Sequence, residues 1–156
     1  MRLIGTILAF FLLTSVAPAQ DISPGKPARE AKCPVCGMFV AKFPDSEARI
    51  VFKNGERLFF DGAKDLFKYT LGVRKYQPEK SAGDIAAVYV TDYYSLNPVD
   101  AGKALYVLGS NVYGPMGKEL IPFEKEADAK EFMADHGGKA VMTLTAVNAE
   151  TLEGLD

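Results

Sequence analysis

The chain has only two cysteines, Cys33 and Cys36, and one histidine, His136. So small a set excludes a scaffold held by several disulfides. It also excludes a zinc site made by four cysteines, or by two cysteines and two histidines, of one chain. A Ser-His-Asp arrangement would have to use His136, and no glycine-rich phosphate loop follows a strand in the required way. Basic charge is not in excess either. The formal net charge is −2 over 156 residues, which gives no electrostatic case for nucleic acid or anionic lipid. The composition gives little support for an enzyme. What is present, 48% apolar and 24% charged residues, fits a globular protein.

The N-terminus reads as an export signal. Met1-Arg2 is a short positive start, Leu3 to Leu13 is an apolar run, and Ala17-Pro18-Ala19 is a cleavage pattern. Residues 1–19 are therefore expected to be a signal peptide and 20–32, rich in Pro, Gly and charge, a flexible lead-in. The run is too short for an ordinary transmembrane helix and no second hydrophobic span follows. No cysteine precedes Cys33, so the expected product is a periplasmic protein that is not a lipoprotein.

Residues 33–150 read as one domain. Cys33 to Pro44 looks like a loop. Arg49–Lys53 and Glu56–Phe60 flank Asn54-Gly55, a pair suited to a type I′ hairpin turn. Asp61 is placed to cap a helix over Ala63–Leu71, with Gly72 as its stop. Ile85–Tyr94 follows as a strand. The second half repeats the order: a strand over Ala104–Gly109, a turn at Gly114-Pro115-Met116-Gly117, an extended Glu119–Phe123, a helix over Lys125–Asp135, and a strand over Ala140–Val147. Gly55-Glu56-Arg57-Leu58 and Gly117-Lys118-Glu119-Leu120 hold matching places. The expected fold is α+β, two similar ββαβ units forming one compact pseudo-repeat domain.

A C-x-x-C segment has four chemical readings: a redox-active disulfide, a structural disulfide, half of a zinc site, or a pair of soft-metal ligands. The redox reading wants a strand before the motif and a helix starting at the first thiol. Glu30-Ala31-Lys32 makes a poor strand, and Gly37, Phe39-Val40 and Pro44 a poor helix start. A structural bridge remains open, because two thiols in an oxidising compartment often pair. Met38 and Met116 shift the balance toward Cu(I), a soft cation that prefers thiolate and thioether sulfur. Cys36-Gly37-Met38 sets two such donors close together. Met116 sits in a turn between Gly114-Pro115 and Gly117. Met133 and Met142 fall on helix and strand positions and read as core. His136 reads as the C-terminal cap of its helix.

Cys-Pro-Val-Cys-Gly-Met, continued by Phe39-Val40-Ala41-Lys42-Phe43-Pro44, resembles the opening of the NosL family. These are nitrous oxide reductase accessory proteins, regarded as copper chaperones. Tyr106 to Ser110 and Gly114 to Phe123 resemble the family's second motif, and Phe132 to Gly138 matches its ending. The resemblance implies Cu(I) binding and delivery to nitrous oxide reductase or another client copper enzyme, alongside a membrane transport complex. It implies Cys36 and Met116 as principal ligands, with Cys33 and Met38 as secondary ones. It also implies two ββαβ units. Many family members are lipoproteins, and this chain departs from them in lacking the lipidated cysteine.

Overall fold

A computed structural model describes residues 21–156; the expected signal peptide lies outside them. Two antiparallel sheets and four helices make an α+β fold. The first sheet holds β1 (Ala48–Phe52), β2 (Arg57–Phe60), β3 (Ile85–Thr91) and β4 (Pro98–Asp100) in the order β2-β1-β3-β4. Helix α1 (Ala63–Leu71) and the single turn α2 (Val73–Tyr76) lie between β2 and β3. The second sheet holds β5 (Leu105–Gly114), β6 (Gly117–Phe123) and β7 (Ala140–Thr143) in the order β6-β5-β7, with α3 (Glu126–Asp135) between β6 and β7. Helix α4 (Ala149–Glu153) ends the chain. In both sheets the first strand of a hairpin is flanked by its hairpin partner and by the strand that follows the helix.

Period-two alternation sorts the side chains. Ala48, Ile50 and Phe52 point from β1 into the main core, with Phe60, Val90, Leu66 and Phe67. Tyr106 and Leu120 join that core from one face of the second sheet. Val107, Ile121 and Phe123 point from its other face onto Ala129 and Phe132 of α3. Met142 and Met133 pack against these two cores, as their positions predict. The lead-in crosses the outer face of the first sheet. There Arg57 donates to the Asp21 carboxylate at 2.7 Å and the Ser23 carbonyl at 3.1 Å, and the Tyr89 hydroxyl donates to the Ile22 carbonyl at 3.0 Å. At the other end α4 lies on α1, and burial continues past residue 150 to Leu152 and Leu155.

Several local expectations are corrected. The first hairpin does not use a type I′ turn, which needs two positive φ angles. Gly55 takes φ +85°, while Asn54 is not among the positive-φ residues. Gly55 N–H donates to the Phe52 carbonyl and Phe52 N–H to the Glu56 carbonyl, the pattern of a three-residue loop closed by a glycine bulge. Strand β3 stops at Thr91 and β7 at Thr143, each shorter than expected. Strand β5 runs past Gly109 because an irregularity between Leu108 and Tyr113 absorbs the break in alternation. Gly62, not Asp61, is the N-cap of α1, and no side chain caps from that position.

The missing cap comes from the other half of the chain. Glu119 Oε1 on β6 accepts the Lys64 N–H at 2.5 Å and the Leu120 N–H at 2.8 Å. A carboxylate on the first turn of a helix is favoured by the orphan donors and dipole there. Its second oxygen lies against Gly62 and Gly114. A Cβ at Gly114 would come within 2.8 Å of it, and one at Gly62 would overlap it. Burial pushes the Glu119 carboxyl up to about 7. A carboxyl raised on folding stabilises the fold fully below its unfolded value, and loses that contribution as pH rises through the folded value.

Glu119→Gln keeps the accepting oxygen and removes the titration. Stability of the variant relative to the parent should therefore improve by about 2–3 kcal/mol between pH 5 and pH 8. Urea unfolding across that range checks this, and parallel pH profiles for the two proteins would contradict it.

Candidate metal centre

The loop expected over Cys33 to Pro44 is compact. Lys32 and Phe39 form an isolated antiparallel bridge. Cys33 N–H donates to the Met38 carbonyl and Gly37 N–H to the Cys33 carbonyl, both at 2.9 Å. Gly37 takes φ +79°, a conformation costly for any residue with a Cβ. The loop so closed directs both thiols inward. Cys33 is buried, Cys36 is half-buried, and both are free thiols.

They meet the start of α1. Cys33 Sγ donates to Asp65 Oδ2 and Cys36 Sγ donates to Asp61 Oδ1, each at 3.3 Å. The two sulfurs and two carboxylate oxygens all lie within 4.8 Å of one another. Asp61 and Asp65 are buried. They straddle the N-cap four residues apart, which puts both on the same side of the helix start. The Asp61 carbonyl accepts the Ser46 hydroxyl at 2.6 Å, fixing the residue from behind. Asp61 Oδ2 is buried and has no hydrogen-bond partner among the described residues. A buried polar oxygen without a donor is expensive, and a cation held at this cluster would offset that cost. The donor set therefore fits a metal ion.

The thiols are held protonated. Burial pushes Cys33 far above the ordinary thiol range and Cys36 up to about 12, and the carboxylates beside them push the same way. A metal that takes them as thiolates must displace those protons.

The residues named from sequence are placed as follows. Cys33 and Cys36 converge. Met38 follows in the same loop, partly buried. Met116 tops the β5–β6 hairpin with its side chain 45% exposed. Its carbonyl accepts Lys64 Nζ at 2.9 Å, and Lys64 immediately precedes Asp65. The second hairpin tip is thus tied to the helix turn that carries the carboxylates. His136 sits elsewhere, as the C-cap of α3, stacked on Phe132 at 4.3 Å and bonded to Asn111. Asp61 and Asp65 were missed as site residues. Their signal was available: two acids four apart in Phe59-Phe60-Asp61-Gly62-Ala63-Lys64-Asp65-Leu66-Phe67, a stretch whose one other charged residue is Lys64.

The NosL family model matches residues 24–152. The chain belongs to the NosL family. A curated relative, the copper-binding lipoprotein NosL of Stutzerimonas stutzeri, is 30% identical over 152 residues, covering 88% of this chain and 76% of the relative. The crystal structure of the copper chaperone NosL from Shewanella denitrificans superposes with a TM-score of 0.69 at 25% identity, over 85% of this chain and 99% of that one. The apo-NosL solution structure from Achromobacter cycloclastes gives 0.47 at 28% identity, over 67% and 87%. Copper-binding chaperones are thus the named relatives of this NosL-family chain, and its thiol–carboxylate cluster is a site able to hold a metal.

Asp61→Asn retains an oxygen to accept the Cys36 thiol while removing a negative neighbour. Cys36 should then ionise at lower pH, and its alkylation at pH 8 should speed up about threefold for each unit of that shift, the tenfold gain in thiolate being partly offset by its lower nucleophilicity. An unchanged rate would contradict the electrostatic account.

Proposed function

We propose that the chain is a periplasmic Cu(I) metallochaperone that delivers copper for maturation of nitrous oxide reductase or a related copper enzyme. Cys36 thiolate and Met116 thioether are the principal ligands, and Cys33 and Met38 assist. The observation that carries this is the convergence of Cys33 and Cys36 on the same helix start to which Lys64 ties the Met116 turn. Cu(I) prefers thiolate and thioether sulfur to carboxylate oxygen, so the sulfurs are the ligands and the carboxylates their immediate surroundings. An ion held by few ligands on an exposed methionine leaves room for a client's ligand to enter. Copper then passes by ligand exchange, which needs no catalysis of a reaction by this protein.

Export rests on the leader at residues 1–19, and nearness to a membrane transport complex rests on the family resemblance. Duplication of one ββαβ unit belongs to the same proposal. It is supported by Gly55 and Gly117, at φ +85° and +89°, in corresponding hairpin positions, and by the matching strand orders.

The main rival is a thiol–disulfide exchange protein using Cys33 and Cys36; a structural disulfide in a non-metal binding module is the other. Burial and the neighbouring carboxylates raise both thiols, the opposite of the electropositive surroundings that activate an exchange cysteine. A competition titration against a Cu(I) chelator decides among them. Cys36→Ser and Met116→Leu should each weaken Cu(I) binding about tenfold or more, on the scale of about 1.4 kcal/mol per decade. Oxidation to a Cys33–Cys36 disulfide should abolish uptake. Full affinity in both variants, or turnover of a disulfide substrate that ignores Met116→Leu, would contradict the proposal.

A further inference from the structure

Seven large hydrophobic side chains are exposed among the described residues. Two of them, Leu96 and Tyr113, line one groove of about 650 Å³. The groove runs between Phe43-Pro44 on one side and the Gly114-Pro115 turn on the other. Its walls therefore continue directly from the cysteine loop and from the Met116 hairpin. Lys42, also in its lining, places Nζ 5.5 Å from the centre of the exposed Phe39 ring, and Lys32 places its own at 5.2 Å. Two ammonium groups thus stand close to the Phe39 ring. Neither lysine takes part in an ion pair among the described residues.

We propose that the groove and the Phe39 lysine pair together form the docking surface for an acidic, apolar segment of the protein that exchanges metal with the site. Apolar residues of that segment occupy the groove, and its carboxylates meet Lys32 and Lys42. Clustered exposed apolar side chains beside unpaired charges are what an interaction site presents. Two ammonium groups within 5.5 Å of one exposed ring favour an anionic partner. The groove lining holds Lys42, Asp45 and the buried Glu119, and the second cation, Lys32, stands outside it beside Phe39. A segment docked there touches both sulfur-bearing loops at once, which shortens the path for exchange. That this partner carries copper rests on the proposed function; the chemistry of the surface does not.

The test uses the reduced, metal-free chain, so its outcome is separate from that of the copper titration. The probes are an extended ten-residue peptide alternating Glu with Leu and Phe, and its counterpart with Lys in place of Glu, each followed by amide NMR. The acidic peptide should bind roughly tenfold tighter at low salt, with the preference shrinking as salt screens the charges. The shifts should centre on Phe39, Lys42, Leu96 and Tyr113. Lys32→Glu with Lys42→Glu, both at exposed positions, should remove the preference. Equal binding of the two peptides, shifts centred elsewhere, or an undiminished preference in the double variant would overturn the proposal. So would sedimentation showing that a second copy of the chain covers the groove.

Discussion

Glu119 is a buried carboxyl that accepts two backbone N–H groups, one from its own strand and one from the first turn of α1. It fits only because Gly62 and Gly114 carry no side chain there. Through it the second sheet supplies the cap that the first half lacks. Lys64, the residue whose N–H it takes, sends its ammonium to the Met116 and Leu155 carbonyls. One helix turn is thereby fixed to the second hairpin, to the C-terminal segment and to the start of its own helix. Asp61 and Asp65 flank that turn, so their positions follow from the same contact.

The site inherits its chemistry from this anchoring. Burial, helped by the two carboxylates that face them, keeps the two thiols protonated, so a metal that binds them has to displace the protons. The softer donors lie on the two loops around the helix start, one closed by Gly37 and the other by Gly117. Under the proposed function a ligand that hands over an ion has to reach solvent, and Met116 is exposed.

Much of this was legible in the sequence where local chemistry decides the outcome. Helix α1 spans the expected Ala63–Leu71 because Leu66 and Phe67 give it an apolar side and Gly72 stops it. Both hairpins fall where glycine permits a positive φ. The failures come from long-range contacts. Asp61 has the residue type of a helix cap, yet the Cys36 thiol claims its carboxylate and Glu119 does the capping. The end of β5 was hidden by the irregularity after Leu108, and α4 by its shortness, since it is held by packing on α1 rather than by its own pattern. The cysteine loop pointed to a soft metal, but nothing local in it announced two carboxylates some thirty residues on.

The central claim is that sulfur from both loops binds the metal. X-ray absorption at the copper edge of the Cu(I)-loaded chain tests it most directly. The account predicts a first shell of sulfur scatterers that loses one sulfur in Met116→Leu and collapses in Cys36→Ser. A shell of oxygen or nitrogen alone, or a sulfur shell identical in all three proteins, would contradict it.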